Sequence, residues 1–205
     1  MKLCSFPNYR RRQEAFVGNG LRIEGFAIVS CEGMIAAADG CMPNSLKFDC
    51  DQNFLCRSLD DATLLVHGRK SHEGQENSCH RRRLLLTRCI ETFSRDPVEP
   101  NVWYWNPDVT PFDDACAAIG VESGLVAILG GTAAYDMFLP RYAAFHLVRA
   151  GKVRLPDGVP VLSGICSVRK PDDVLKRAGL ALTDVETLDK THDVVRENWA
   201  RAAAH

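Results

Sequence analysis

No stretch of this chain approaches the roughly 20 consecutive apolar residues that a membrane-spanning helix needs, and the basic residues within Met1 to Arg12 are followed by no apolar export segment. The expectation is a cytoplasmic protein with no membrane partner. Net charge is nearly absent as well: 25 Lys and Arg against 26 Asp and Glu leave −1, with a pI of about 6.6. No global field then draws in nucleic acid, and a small neutral or anionic ligand in a local pocket is the expected partner. The nine cysteines include no C-x-x-C pair and no framework spacing, so they read as reduced thiols. Cys79-His80 is the only adjacent Cys-His pair and no second pair stands at zinc spacing, which leaves no expected metal site. No paired base marks a cysteine nucleophile. Repeats, low-complexity tracts and long linkers are also missing. What is there, 205 residues at 46% hydrophobic, suffices for one domain spanning residues 1–205 with a sizeable core.

Strand and helix patterns alternate, which predicts an α/β fold of three layers: a central mixed, mainly parallel sheet with helices on both faces. Leu21 to Ser30, Ala62 to Val66, Leu84 to Thr87 and Leu125 to Leu129 each carry an aliphatic run bounded by polar or glycine residues, as strands buried on both faces do. Ala144 to Val148 is a fifth candidate. Thr110-Pro111 predicts an N-cap and first helical position, with Asp113 and Asp114 in the first turn and Gly120 at the end. A second helix is expected from Pro171-Asp172-Asp173 to Gly179 and a third over Thr132 to Phe138. Asp193 to Ala200 reads equally as a closing strand or a frayed helix.

The strand Leu125 to Leu129 runs through Gly130-Gly131 directly into the third helix. Backbone N–H groups there are unobstructed by any Cβ and lie at a helix start, an arrangement suited to an anion. Close packing or a positive φ would call for the same glycines. Ala127-Ile128-Leu129-Gly130-Gly131-Thr132-Ala133-Ala134-Tyr135-Asp136-Met137-Phe138-Leu139-Pro140 resembles the dihydrofolate reductase segment in which a Gly-Gly pair with a cis peptide touches the pyrophosphate and nicotinamide of NADPH. The resemblance implies that Gly130, Gly131, Thr132, Ala133 and Tyr135 contact NADPH. Gly68-Arg69-Lys70-Ser71-His72-Glu73 resembles the same family's Gly-Arg-Lys-Thr-Trp-Glu signature at a strand-to-helix turn, which adds Gly68, Arg69, Lys70 and Ser71 as phosphate contacts. Thr87-Arg88 stands where the family meets the ribose 2′-phosphate. Arg88 is the preferred ligand there, because a guanidinium fork matches phosphate bidentately. Arg81 to Arg83 read mainly as a solvated charge run that steers an anionic cofactor.

Hydride transfer to a pterin-like C=N bond needs a proton on the nitrogen, hence a carboxyl group in a mostly apolar pocket. Asp39-Gly40-Cys41-Met42-Pro43-Asn44-Ser45-Leu46-Lys47-Phe48-Asp49 resembles the family stretch that ends in the substrate-binding acid at a helix start. That register picks Asp49 as catalytic and substrate-binding residue, with Asp51 as its rival and Phe54 and Leu55 as the apolar wall. Ser30-Cys31-Glu32-Gly33-Met34-Ile35-Ala36 resembles both the dihydrofolate reductase strand exit and the start of the riboflavin-pathway aminopyrimidine reductases, which share the fold, and places Ile35 at the cofactor. The blocks follow one another in family order between Ile23 and Val148. They imply an NADPH-dependent reductase of a pteridine or, alternatively, of a phosphoribosylaminopyrimidine, for which Lys47 or Arg57 would meet the substrate phosphate. Asn44 replaces the family's tryptophan and Val148 its supporting threonine. Both departures also fit a protein that binds NADPH without catalysis. Trp103-Tyr104-Trp105 is expected to seal a sheet edge or the face of a homodimer.

Overall fold

The computed structural model describes residues 20–69, 71 and 77–202. In chain order they form β1 (Leu21–Ser30), β2 (Met34–Ala36), α1 (Asp49–Asp60), β3 (Leu64–Gly68), β4 (Arg83–Leu86), β5 (Ser94–Arg95), β6 (Val102–Trp105), α2 (Phe112–Ala118), β7 (Gly124–Ile128), α3 (Thr132–Phe138), β8 (Ala144–Ala150), β9 (Val159–Pro160), α4 (Pro171–Arg177), β10 (Leu180–Asp189) and β11 (Val194–Arg201). Nine strands make one sheet in the order β10-β11-β8-β1-β7-β3-β4-β6-β5, while β2 and β9 pair separately. From β8 to β6 all pairings are parallel; β11, β10 and β5 add antiparallel partners at the two edges. This is the three-layer, mainly parallel α/β architecture expected from the alternating pattern.

The aliphatic runs become inner strands because both of their faces are covered. Ile23, Ala27 and Val29 of β1 join residues of α2, α3 and α4 in one core, while Phe26 packs on the opposite face with Leu59, Phe54 and Leu55 of α1. Gly25 lies between these positions for a steric reason: a Cβ there would stand 2.4 Å from the Phe145 ring of neighbouring β8. Gly25→Ala should therefore destabilise the fold by about 2 kcal/mol, as overpacking of a filled core does, and lower Tm in a thermal melt. An unchanged Tm would show that Phe145 can move aside.

Several local signals land close to their marks. The third helix occupies Thr132–Phe138 as expected, and Gly120 and Gly179 take positive φ of 67° and 84° just past α2 and α4. Asp173 accepts the Lys170 N–H at 3.0 Å to cap α4. Thr110 is not the cap of α2: Pro111 holds that position in extended geometry, and the Thr110 carbonyl instead accepts the Trp105 indole N–H at 2.7 Å. Asp193 to Ala200 resolves as strand, because β11 lies antiparallel between β8 and β10 and buries Trp199. Trp103-Tyr104-Trp105 does not close an edge. It is β6, flanked by β4 and β5, with Trp105 in the core against Phe112 and Phe138. Among the described residues no helix is long and apolar enough to cross a membrane.

Candidate active site

Beyond its middle, β1 loses one of its two neighbours. It pairs with β7 from Leu21↔Gly124 only to Gly25↔Ile128, but with β8 as far as Ser30↔Ala150. The sheet thus splits between β1 and β7 at their C-terminal ends. The connection after β1 leads to β3 on one side, and the one after β7 leads to β8 on the other, so the split is a topological switch point, where open α/β sheets place ligands. Tyr135 reaches into the split from α3 and donates its hydroxyl to the Phe26 carbonyl at 2.5 Å.

Gly130-Gly131 forms one wall. The peptide between them is cis, and Gly130 has φ +93° with its back to Tyr135, whose ring carbon would lie 2.6 Å from an added Cβ. The Gly130 carbonyl accepts the Gly68 N–H at 2.6 Å, which joins the ends of β7 and β3. Gly131 faces open space; an added Cβ would find only the Ile35 Cδ1, at 3.9 Å. Ile35 is therefore the opposite lip. Thr132 is half-buried and donates its hydroxyl to the Pro160 carbonyl, tying α3 to the β2–β9 pair, and Ala133 is exposed. Tyr135 departs from its expected place at the cofactor surface. It is 3% exposed and backs Gly130 from beneath, its ring atoms the nearest to an added Cβ there and its hydroxyl bonded to β1. Burial, and then the charge of Asp51, push its phenol well above the usual tyrosine range.

The other expected cofactor contacts gather at the same end of the sheet. Gly68 ends β3 half-buried, Arg69 is exposed, and Ser71 donates its N–H back to the Gly68 carbonyl at 2.9 Å. Lys70 and the helix expected over His72 and Glu73 lie outside the described residues. Thr87 is buried just past β4, with its hydroxyl accepting the Cys89 N–H at 3.2 Å. Arg88 is exposed and meets Asp108 at 3.2 Å. Arg81 and Arg82, by contrast, precede β4 and Arg83 opens it, so all three lie at the opposite end. Arg81 is buried there against Asp60 at the end of α1, which makes it a clamp between helix and sheet rather than a steering charge. A surface hollow lined by Asp60, Thr63, His80 and Arg81 shares no residue with the split.

The two candidate acids are separated by the turn of α1. Asp49, its first residue, is exposed. Asp51 is 4% exposed and has no hydrogen-bond partner among the described residues. Burial pushes its carboxyl up to about 6, against a weaker opposing effect of the Arg196 charge. The structure thus brings the rival acid, not Asp49, into the interior, since residues two apart on a helix lie about 200° apart around it. Phe54 follows one turn later on the same side, half-buried against Phe26 at 6.2 Å between centroids, and Leu55 packs with it. Val148, where a threonine was expected, is buried beside Ile28 and Leu46. Asn44 and Lys47 are exposed ahead of α1, joined side chain to side chain at 2.9 Å, and Arg57 turns its Nε to the Asn53 carbonyl on the outside of the helix. Nothing in the sequence pointed to Arg196, which lies over Phe54 from β11. No group of three metal-ligating side chains occurs among the described residues.

No protein-family model matches the chain, and no curated protein matches it in sequence. Solved structures do match in shape. The bifunctional diaminohydroxyphosphoribosylaminopyrimidine deaminase/5-amino-6-(5-phosphoribosylamino)uracil reductase of Thermotoga maritima superposes with a TM-score of 0.62 at 15% identity, over 88% of this chain and 56% of that one. Dihydrofolate reductase from Enterococcus faecalis, complexed with NADP(H) and RAB-propyl, gives 0.60 at 13% identity, over 89% and 97%. A riboflavin biosynthesis protein from Shewanella sp. PV-4 gives 0.59 at 16%, over 88% and 99%. With its split parallel sheet and glycine pair, the chain has the dihydrofolate reductase-like fold.

Proposed function

We propose that the chain is an NADPH-dependent reductase that delivers hydride to a pteridine-like ring, with Asp51 as the acid. The observation that carries this reading is a buried carboxyl on α1, one turn from the Phe54 ring that packs on Phe26 of β1, together with the open backbone surface that the glycine pair leaves at the strand ends. NADPH supplies the hydride when bound. Gly130, Gly131, Thr132, Ala133 and Ile35 would hold its central part, with Gly68, Arg69, Lys70, Ser71, Thr87 and Arg88 toward its phosphates. The surface fits such a group: at Gly131 a Cβ would occupy the open face, and at Gly68 it would stand 3.5 Å from the Gly131 nitrogen. Asp51 holds a proton up to near-neutral pH and can give it to a ring nitrogen, while Phe54, Leu55, Ile28 and Val148 keep the pocket apolar.

Arg88 is the proposed 2′-phosphate ligand, and its partnership with Asp108 is exposed on both sides and weak. Arg88→Ala should weaken NADPH binding about tenfold or more while leaving NADH within about twofold, measured by fluorescence titration of both cofactors. Equal loss for both would remove Arg88 from the 2′-phosphate.

Lys47 and Asn44, exposed just ahead of α1, favour a second reading in which the substrate carries a phosphate, as a phosphoribosylaminopyrimidine does. The test is NADPH oxidation followed first with dihydrofolate and then with the aminopyrimidine ribose phosphate. Turnover of one names the substrate class. Binding of NADPH without turnover of either would indicate a binding protein, and no NADPH binding would remove the proposal.

A further inference from the structure

Arg196 lies on β11, far along the chain from every segment that marks the site. Its guanidinium carbon stands 3.9 Å from the centroid of the Phe54 ring, closer than the usual limit for a cation over an aromatic face. Phe54 is one helical turn from Asp51 on the same side of α1, so the cation sits over the wall of the acid's pocket. Glu186 of β10, opposite Arg196 in the β10–β11 ladder, accepts a hydrogen bond from one guanidinium nitrogen and fixes the head group. The Arg196 Nε is buried with no acceptor among the described residues, and Asp51 is 4% exposed.

We infer that Arg196 is a positioning residue of this same site: stacked on Phe54 and clamped by Glu186, it holds a fixed positive charge against the carboxylate that Asp51 becomes when it gives up its proton. The inference rests on the reductase reading for its catalytic meaning, but not for its physics. Once the proton has passed to the substrate, the remaining carboxylate is in an apolar pocket, and a nearby cation lowers the free energy of that charged state. The Arg196 charge also acts on Asp51 against burial, favouring its ionised form. The other ionisable groups around the pair are Glu186 from β10, Cys50 from α1, Tyr135 from α3, and His146 of β8, which lies edge-on to Phe54 and bonds to Glu24 of β1. Arg196 is bonded to Glu186 and stacked on Phe54 at once.

The test is a carbon-13 titration of aspartate-labelled full-length chain, with Asp51→Asn used to assign the Asp51 signal. In Arg196→Gln the Asp51 midpoint should move up by about 1 pH unit relative to the unmodified chain. In Arg196→Lys, which keeps the charge, it should move by less than half as much. The high-pH limb of kcat/KM should follow the same order, with NADPH affinity unchanged. An Asp51 midpoint that stays in place in both variants overturns the inference and leaves the reductase reading standing. Should the Gln variant fail to fold, a Lys variant that matches the unmodified chain while Glu186→Gln, which frees the head group, shifts the midpoint also supports it; no shift in either overturns it. A chain that gives the midpoint shifts yet oxidises no NADPH loses the reductase reading and retains the Asp51–Arg196 pair.

Discussion

Asp51→Asn should lower kcat/KM at neutral pH by at least about 100-fold and, in the same molecule, make the fold more stable above pH 6. The two effects share one cause. Burial raises the carboxyl from 3.8 to about 6, so between those values the folded chain binds more protons than the unfolded one and stability falls as pH rises. At about 1.4 kcal/mol per pH unit, the interval amounts to about 3 kcal/mol, fully expressed above pH 6 and absent below pH 3.8. Asn has nearly the same shape and no charge to bury. Denaturation at pH 8 should therefore show the variant ahead by up to about 3 kcal/mol, and at pH 4 the two should converge. Turnover of the unmodified chain should fall with rising pH above about 6, as the protonated acid is titrated away. Asp49→Asn, at an exposed position, should leave both turnover and stability within experimental error. A variant pair with the opposite pattern would return the acid to Asp49.

Gly130→Ala should damage the fold severely. Gly130 has φ +93°, where side-chain-bearing residues are strained, and the new Cβ would stand 2.6 Å from the buried Tyr135 ring. That ring cannot swing away without breaking the hydroxyl bond to the Phe26 carbonyl and opening the core between β1 and β7. Backbone strain and overpacking together cost about 3 kcal/mol or more, and Tm should drop by about 6 to 12 °C. Gly131→Ala provides the contrast. Its Cβ meets only Ile35 at 3.9 Å, so the fold should persist while the proposed cofactor surface is filled. Thermal melts paired with NADPH titration separate the two: large Tm loss at Gly130, and weakened binding at nearly constant Tm at Gly131. Comparable Tm losses at both would mean that the pair serves packing alone.

The features legible in the sequence are those determined within a few neighbouring residues. Leu21 to Ser30 and Leu125 to Leu129 read as inner strands because a strand covered on both faces must be apolar at successive positions, and no helix of that length needs such a run. The third helix and the glycine turn before it were legible because positive φ and a Cβ-free surface demand glycine. β10 was not. At the sheet edge Leu180–Asp189 is largely exposed, so its composition carries no strand period. Arg81 looked like one of three solvated arginines, yet it alone is buried, a difference made by Asp60 at the far end of α1.

The glycine pair was thus legible from local chemistry, its cis peptide was implied by the resemblance read from the same residues, and that resemblance led to the right fold. Which carboxyl enters the pocket was not settled there. Asp49 and Asp51 both suit the start of a helix, and only the packing of α1 on β1 and β8 decides which side of that helix is inside. Arg196 shows the same limit: its position over Phe54 depends on β11 pairing with β8 and β10, contacts between distant segments that leave no local trace at residue 196.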